Sequence, residues 1–179
     1  MSRRTILALA AAAMLATAAG TGVRLWRVRR EDDDDASDGT AATDVWSLSF
    51  ARLDGSTLSM AGLRGKPLLL NFWATWCAPC IVEMPLLDRF AREHGAERWN
   101  VLALAVDQPD PVRRFIAERT LRLPIAMAGA AGLDLSRQLG NRNGGLPFTA
   151  AFGANGSKLG QHLGAVSAEL LASWDKSAW

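Results

Sequence analysis

Two hydrophobic rhythms alternate along the chain from Val45 onward, one of apolar runs and period-two stretches, the other of period three to four. Val45 to Phe50 alternates apolar and polar side chains, Asp54-Gly55 is a turn signal, and Thr57 to Met60 returns, which predicts an opening β-hairpin. Lys66-Pro67 leads into Leu68 to Trp73, a nearly unbroken apolar run of the kind needed by a central strand covered on both faces. A helix is predicted from about Cys77 to His94, because Ile81, Met84, Leu87 and Phe90/Ala91 recur at intervals of three or four. Pro85 should kink that helix, since it has no amide donor and crowds the preceding turn. Val101 to Val106 reads as a second buried strand, ended by Asp107. Asp110 as cap, with Pro111 at the first helical position, predicts a short helix over Val112 to Arg119. Ile125 to Ala128 and Leu133 to Leu139 give a further strand and helix. Phe148 to Phe152 and Lys158 to Leu163 form a hairpin around Asn155-Gly156, and Ser167 caps a last helix reaching about Trp174. Strands and helices in this order build an α/β layered domain.

Ahead of Val45 the pattern differs. Arg3 and Arg4 precede Ile6 to Gly22, seventeen residues without a charge of which eight are Ala; a basic flank and an apolar run make a signal peptide or signal anchor over residues 1–23. Ala16 and Ala18 suit cleavage, while seventeen residues is the short limit for a bilayer span, so tethering and release both stay open. Ser2-Arg3-Arg4-Thr5-Ile6-Leu7 resembles a twin-arginine export signal, without its usual Phe and Lys. Arg24, Arg27, Arg29 and Arg30 follow the run and, by the positive-inside rule, argue for the opposite orientation. Residues 24–44, with Glu31 and the run Asp32 to Asp35, have nothing to bury and read as a charged, solvated linker; residues 45–179 form the domain.

Composition narrows the function. With 49% hydrophobic and 21% charged residues the chain is neither fibrous nor wholly disordered. The first 44 residues carry six Arg against seven acids and the rest fourteen Lys and Arg against eleven acids, so neither part has the basic excess of a nucleic-acid binder. Two cysteines, Cys77 and Cys80, cannot staple a secreted scaffold, and His94 and His162 are too remote to complete a zinc spacing; no metal is expected.

The chemistry is therefore in Trp76-Cys77-Ala78-Pro79-Cys80, set where a buried strand passes into a helix. Free amides and the positive end of the helix dipole stabilise a thiolate there, and only the thiolate attacks a disulfide. Cys77, at the terminus, is the expected nucleophile. Cys80, one turn in, is close enough to bridge to it and more shielded, which suits the resolving role. Pro79 gives up a donor that the first turn would not use and stiffens the loop. The competing readings are a permanent staple, poorly served by so small a ring, and half of a metal site.

Asn71-Phe72-Trp73-Ala74-Thr75-Trp76-Cys77-Ala78-Pro79-Cys80, followed by Glu83-Met84-Pro85, preceded by Gly65-Lys66-Pro67 and joined downstream by Gly145-Leu146-Pro147-Phe148-Thr149, resembles the TlpA/ResA/CcmG (DsbE) group of exported thioredoxin-like proteins over about Phe50 to Leu171. The resemblance implies a thioredoxin fold with an N-terminal β-hairpin and an added strand and helix in the centre, matching Ile125 to Leu139. It implies that Cys77 and Cys80 are the redox pair, that Pro147 is a cis-proline facing them, and that the Leu146 peptide group pairs with an extended client strand. It implies that Glu83, one turn beyond Cys80 on the same helix face, handles the thiol protons; the alternative is a solvated surface acid. Asn71 stands where ordinary thioredoxins have a buried Asp, leaving Glu83 as the nearby proton acceptor. Trp73 and Trp76 are expected to shape the rim, the alternative being that such aromatic residues are core or cover, with Trp76 and Pro79 joining Leu146 and Pro147 as substrate-binding residues. Asn141-Arg142-Asn143-Gly144-Gly145 is longer and richer in glycine than the group's turn before the proline, which suggests a mobile client-facing loop.

The implied function is an extracytoplasmic or periplasmic thiol-disulfide oxidoreductase, a monomeric reductant without a cofactor beyond its own disulfide. Its implied partners are a disulfide-bearing client such as an apocytochrome c and a membrane thiol donor of the DsbD/CcdA type. A disulfide oxidase or isomerase, and a thiol metallochaperone for copper or haem assembly, are the alternatives; redox potential separates the first and tight Cu(I) binding the second.

Overall fold

The computed structural model describes residues 44–95 and 97–178; the expected export segment and all of the linker except Asp44 lie outside them. A seven-stranded sheet runs in the order β2-β1-β5-β4-β3-β6-β7, formed by Ser49–Ala51 (β1), Thr57–Ser59 (β2), Leu68–Trp73 (β3), Asn100–Ala105 (β4), Ile125–Met127 (β5), Phe148–Phe152 (β6) and Lys158–Leu163 (β7). Four α-helices accompany it among the described residues: Ala78–His94 (α1), Pro109–Ala117 (α2), Ala131–Gln138 (α3) and Ala168–Ser177 (α4).

The central strand explains the unbroken apolar run. All six residues of β3 are buried, between parallel β4 and antiparallel β6. Leu69 and Trp73 enter a core shared with Met84 and Leu87 of α1, Val112 and Phe115 of α2, and Leu171 and Trp174 of α4. Leu68, Leu70 and Phe72 enter the opposite core with Leu135 of α3, Trp46 and Met60. Strand alternation thus distributes one run between two layers. Asn71 is the polar exception, fully buried on the first face among Leu69 and Trp73.

Several boundaries depart from the sequence pattern for local reasons. Val45–Ser47 is a 3₁₀ turn, not strand; Asp44 caps it, accepting the Trp46 N–H at 3.1 Å, and both Val45 and Trp46 are buried. The local bond from the Trp46 N–H to the Asp44 side chain sets this turn, so the alternation that suggested β structure was incidental. Asp44, read as linker, also pairs with Arg64 at 3.4 Å. Helix α2 begins at Pro109 with Gln108 as N-cap, so Asp110 lies in the first turn and bonds Arg113 instead of capping. Pro109 fills the first-turn position assigned to Pro111, because strand β4 ends earlier and Asp107 is engaged elsewhere. Helix α1 runs through Pro85 to His94 without interruption. The hairpin β6–β7 and the Ser167 cap, accepting the Leu170 N–H at 3.2 Å, are as expected.

Helix α1 is fixed to the layer beside it by Asp88. This buried carboxylate accepts the N–H groups of Arg122 and Leu123 at 2.7 and 2.9 Å and pairs with Arg92 at 3.1 Å. Asp88→Ala would leave the buried Leu123 amide without its acceptor and is expected to lower unfolding free energy by about 2 kcal/mol. Urea denaturation of the oxidised protein measures it; a loss within experimental error would show that water replaces the carboxylate.

Candidate active site

The C-terminal ends of β3 and β4 open onto the loop that carries the cysteines. Val106 donates its N–H to Trp73 O at 2.8 Å, and one residue later Asp107 accepts both the N–H and the hydroxyl of Thr75, at 2.8 and 2.6 Å. The end of β4 therefore anchors the turn between β3 and α1, just ahead of Trp76 and Cys77. Asp107 was legible in the sequence only as a strand terminator; its role follows from the parallel β3–β4 register, which places two non-adjacent segments side by side.

Cys77 and Cys80 are bonded to each other, with Cα atoms 5.3 Å apart. Cys77 is the N-cap of α1, its Sγ accepting the Cys80 N–H at 3.3 Å. That bond and the amide end of the helix supply a positive environment that stabilises a thiolate once the disulfide is reduced. Of the two, Cys77 retains 6% of its surface and Cys80 none. Trp76 stands out at 68% exposed and Pro79 is exposed too. Trp73, expected at the rim, is instead fully buried, its ring 5.1 Å from that of Phe115. Its place in the strand turns it into the core while Trp76, beyond the strand, faces solvent.

The Leu146–Pro147 peptide is cis, and β6 follows immediately. Phe148 pairs with Phe72, so Pro147 lies beyond the last bonded pair, level with the end of β3 that leads to the cysteines. Leu146 packs against the core containing Cys77 and Cys80, and Pro147 O accepts the Gly164 N–H at 2.8 Å, with Gly164 at φ 105° in the turn after β7. The glycine-rich loop before the proline is bonded at both ends. Buried Asn141 donates from Nδ2 to Ser136 Oγ at 3.0 Å and to Gly145 O at 2.8 Å.

Glu83 is 3% exposed, which removes the surface-acid reading. Its Oε1 accepts from Asn71 Nδ2 at 2.8 Å and its Oε2 from the Val166 N–H at 2.8 Å, the latter in the segment between β7 and α4. Asn71 Nδ2 also donates to Thr149 Oγ1 at 2.9 Å. Burial pushes the Glu83 carboxyl above its ordinary range, and the two hydrogen bonds offset this only in part. Asn71, Thr149 and Val166 are the partners that sequence reasoning did not pair with Glu83; strand register alone would have placed Asn71 opposite Thr149.

A Redoxin family model matches residues 34–170. The thiol-disulfide oxidoreductase ResA of Bacillus thuringiensis is 34% identical over 76 residues, 42% of this chain and 44% of that protein. The ResA of Halalkalibacterium halodurans is 29% identical over 120 residues, 66% of each. The chain thus spans under half the length of the first of these relatives. The crystal structure of a thiol:disulfide interchange protein of the thioredoxin family from Chlorobium tepidum TLS matches with a TM-score of 0.65 and 27% identity, over 79% of this chain and 99% of that one. The architecture is accordingly a thioredoxin fold, with the β1–β2 hairpin at its start and β5–α3 added in its centre.

Proposed function

The chain belongs to the Redoxin family, and from that premise we propose that it is a thiol-disulfide oxidoreductase acting on protein disulfides outside the cytoplasm, in the reducing direction. The observation that carries this reading is the Cys77–Cys80 disulfide at the amide end of α1, with Cys77 alone keeping exposed surface. In the reduced protein the Cys77 thiolate attacks one sulfur of a client disulfide and expels the other as a thiolate. Cys80, losing its proton to Glu83, then attacks the Cys77 sulfur, releases the second client thiolate and closes the Cys77–Cys80 bond. Two electrons pass to the client, and a thiol donor at the membrane must restore them. Trp76 and Pro79 are exposed beside the cysteines in the chain, Leu146 packs against the core that contains them, and the Leu146 backbone is the edge offered to an extended client segment.

An apocytochrome c is the client that the resemblance to the TlpA/ResA/CcmG group implies. Export is supported by Arg3, Arg4 and the apolar stretch Ile6 to Gly22, and opposed by the Arg cluster from Arg24 to Arg30. Among the described residues no helix is long and apolar enough to cross a membrane.

Equilibration of the Cys77/Cys80 couple with glutathione, read by alkylation, tests direction. The expected potential lies nearer the about −270 mV of thioredoxin than the about −120 mV of DsbA. A value near the latter overturns the reductant reading in favour of an oxidase. A reporter active only after export, fused after Trp179, tests location; activity from a cytoplasm-only reporter alone overturns it.

A further inference from the structure

Glu83 must be accommodated in two protonation states if it takes and returns a thiol proton, and its surroundings are not symmetric. The Val166 partner is a backbone N–H, which can only donate, so the oxygen facing it, Oε2, must remain an acceptor in both states. The carbonyl oxygen of a neutral carboxyl is a stronger acceptor than its hydroxyl oxygen, so the Val166 N–H keeps Oε2 as the carbonyl and the proton is favoured on Oε1, the oxygen that faces Asn71 Nδ2 at 2.8 Å. There a donor would meet a donor. Asn71 is fully buried, and its Oδ1 has no hydrogen-bond partner. A carboxamide has nearly the same shape with its oxygen and nitrogen exchanged.

We propose that Asn71 is the positioning residue for the proton on Glu83, its carboxamide reversing as Glu83 gains or loses that proton, with the Thr149 hydroxyl reversing in step. With Glu83 ionised, Asn71 Nδ2 donates to Glu83 Oε1 and to Thr149 Oγ1, the arrangement seen here at 2.8 and 2.9 Å. With Glu83 neutral, Asn71 Oδ1 occupies that position and accepts from Glu83 Oε1–H and Thr149 Oγ1–H. Threonine serves both arrangements because its hydroxyl donates and accepts. Two hydrogen bonds at this corner, and one unpaired amide end, exist in either state. The exchange therefore leaves the number of satisfied groups unchanged, which keeps the energetic gap between the two forms of a buried acid small. Aspartate at position 71 could not do this, since two carboxylates at this separation would hold a proton between them.

The proposal rests on the proton-acceptor reading of Glu83, and the geometry isolates the pair. Glu83 is hydrogen-bonded from β3 by Asn71 and from the β7–α4 segment by the Val166 amide, while β6 contributes Thr149 through Asn71; no charged side chain among the described residues is bonded to it. The titratable groups near it on its own helix are Cys77 and Cys80, which do not titrate while bonded to each other. Asp88, further along α1, is engaged by Arg92 and the Arg122 and Leu123 amides.

The experiment is side-chain NMR of the full oxidised protein across a pH titration. The Asn71 amide signals are expected to shift with the same midpoint as the Glu83 carboxyl carbon, and the contact between the Asn71 amide protons and the Thr149 methyl should be lost on the acid side. Glu83→Gln supplies a second measurement. Gln must present its oxygen to Val166 and hence its amide to Asn71, so the variant should show the acid-side Asn71 pattern at every pH. An Asn71 contact to Thr149 that persists through the Glu83 transition, or in Glu83→Gln, overturns the proposal. Alkylation of reduced Cys77 in Glu83→Gln is read separately. An unchanged pH profile there would overturn the acceptor role of Glu83 in exchange while the oxidised-state titration still decides the behaviour of Asn71.

Discussion

Cys77→Ser should reduce insulin and small disulfides at no more than the uncatalysed rate, whereas Cys80→Ser should still attack once and then stall as a mixed disulfide through Cys77. The asymmetry follows from position on α1. Cys77 is the N-cap, its sulfur holding the Cys80 N–H at 3.3 Å, so a thiolate there gains both a hydrogen bond and the helix dipole. Cys80 has no exposed surface, whereas Cys77 keeps 6% of its own, so a client disulfide meets Cys77. Stalling in Cys80→Ser is expected because the hydroxyl that replaces the thiol is not a competent nucleophile towards sulfur at neutral pH. Mass spectrometry of trapped adducts gives the assignment directly. Adducts recovered mainly on Cys80 of a Cys77→Ser protein would reverse the two roles.

The parts of this site that lie on one continuous segment were legible in the sequence. Leu68 to Trp73 reads as a doubly covered strand because six apolar or small-amide positions in a row have no solvent face to offer, and the structure buries all six. Cys77 at a strand-to-helix junction, with Glu83 two turns into the same helix, follows from chain spacing alone. The Asn155-Gly156 pair marked the hairpin between β6 and β7, where Gly156 takes φ 83°. What the sequence did not reveal is set by pairing between segments. Asn71 reads as an interruption of an apolar run, and only the antiparallel register of β3 with β6 brings Thr149 beside it. Asp107 reads as a strand end, and only the parallel register of β3 with β4 brings it to Thr75. Val166 takes part through a backbone amide, which every residue but proline carries, so no side chain signals it.

The same distinction explains the misplaced boundaries. Val45 to Phe50 satisfies a period-two pattern, yet Asp44 offers a competing local bond to Trp46, and the buried indole packs edge-on against Phe152 at 6.1 Å. A side-chain cap and one aromatic contact outweigh the weak preference of a six-residue stretch for extended backbone. The glycine-rich segment 141–145 suggested a mobile loop by composition. One buried side chain, Asn141, bonds both Ser136 and Gly145 and closes it, so the surface beside Leu146 is presented by an anchored loop.

Glu83→Gln should remove a pH-dependent loss of stability and slow the resolving step of exchange. Burial holds the folded-state pKa of Glu83 above the ordinary 4.5, so the folded protein binds this proton more tightly than the unfolded chain does. The stability associated with the neutral acid is therefore fully present below about pH 4.5 and is lost as pH rises through the folded-state value, by up to about 1.4 kcal/mol per pH unit. Gln does not titrate. The stability of the oxidised variant relative to the oxidised parent should accordingly rise with pH across that window and level off above it. Oxidised protein is required because the bonded cysteines then contribute no titration of their own. Urea denaturation at a series of pH values measures the difference, and a flat line would mean that Glu83 is solvated in the native ensemble. In the reduced protein the effect on rate has the opposite sense: with no carboxylate to take the Cys80 proton, release of the mixed disulfide should slow on the order of 10²-fold, the lower end of what a positioned base contributes. A variant that gained stability at high pH and also kept the parental rate would show that the buried carboxylate is structural and that solvent water takes the proton.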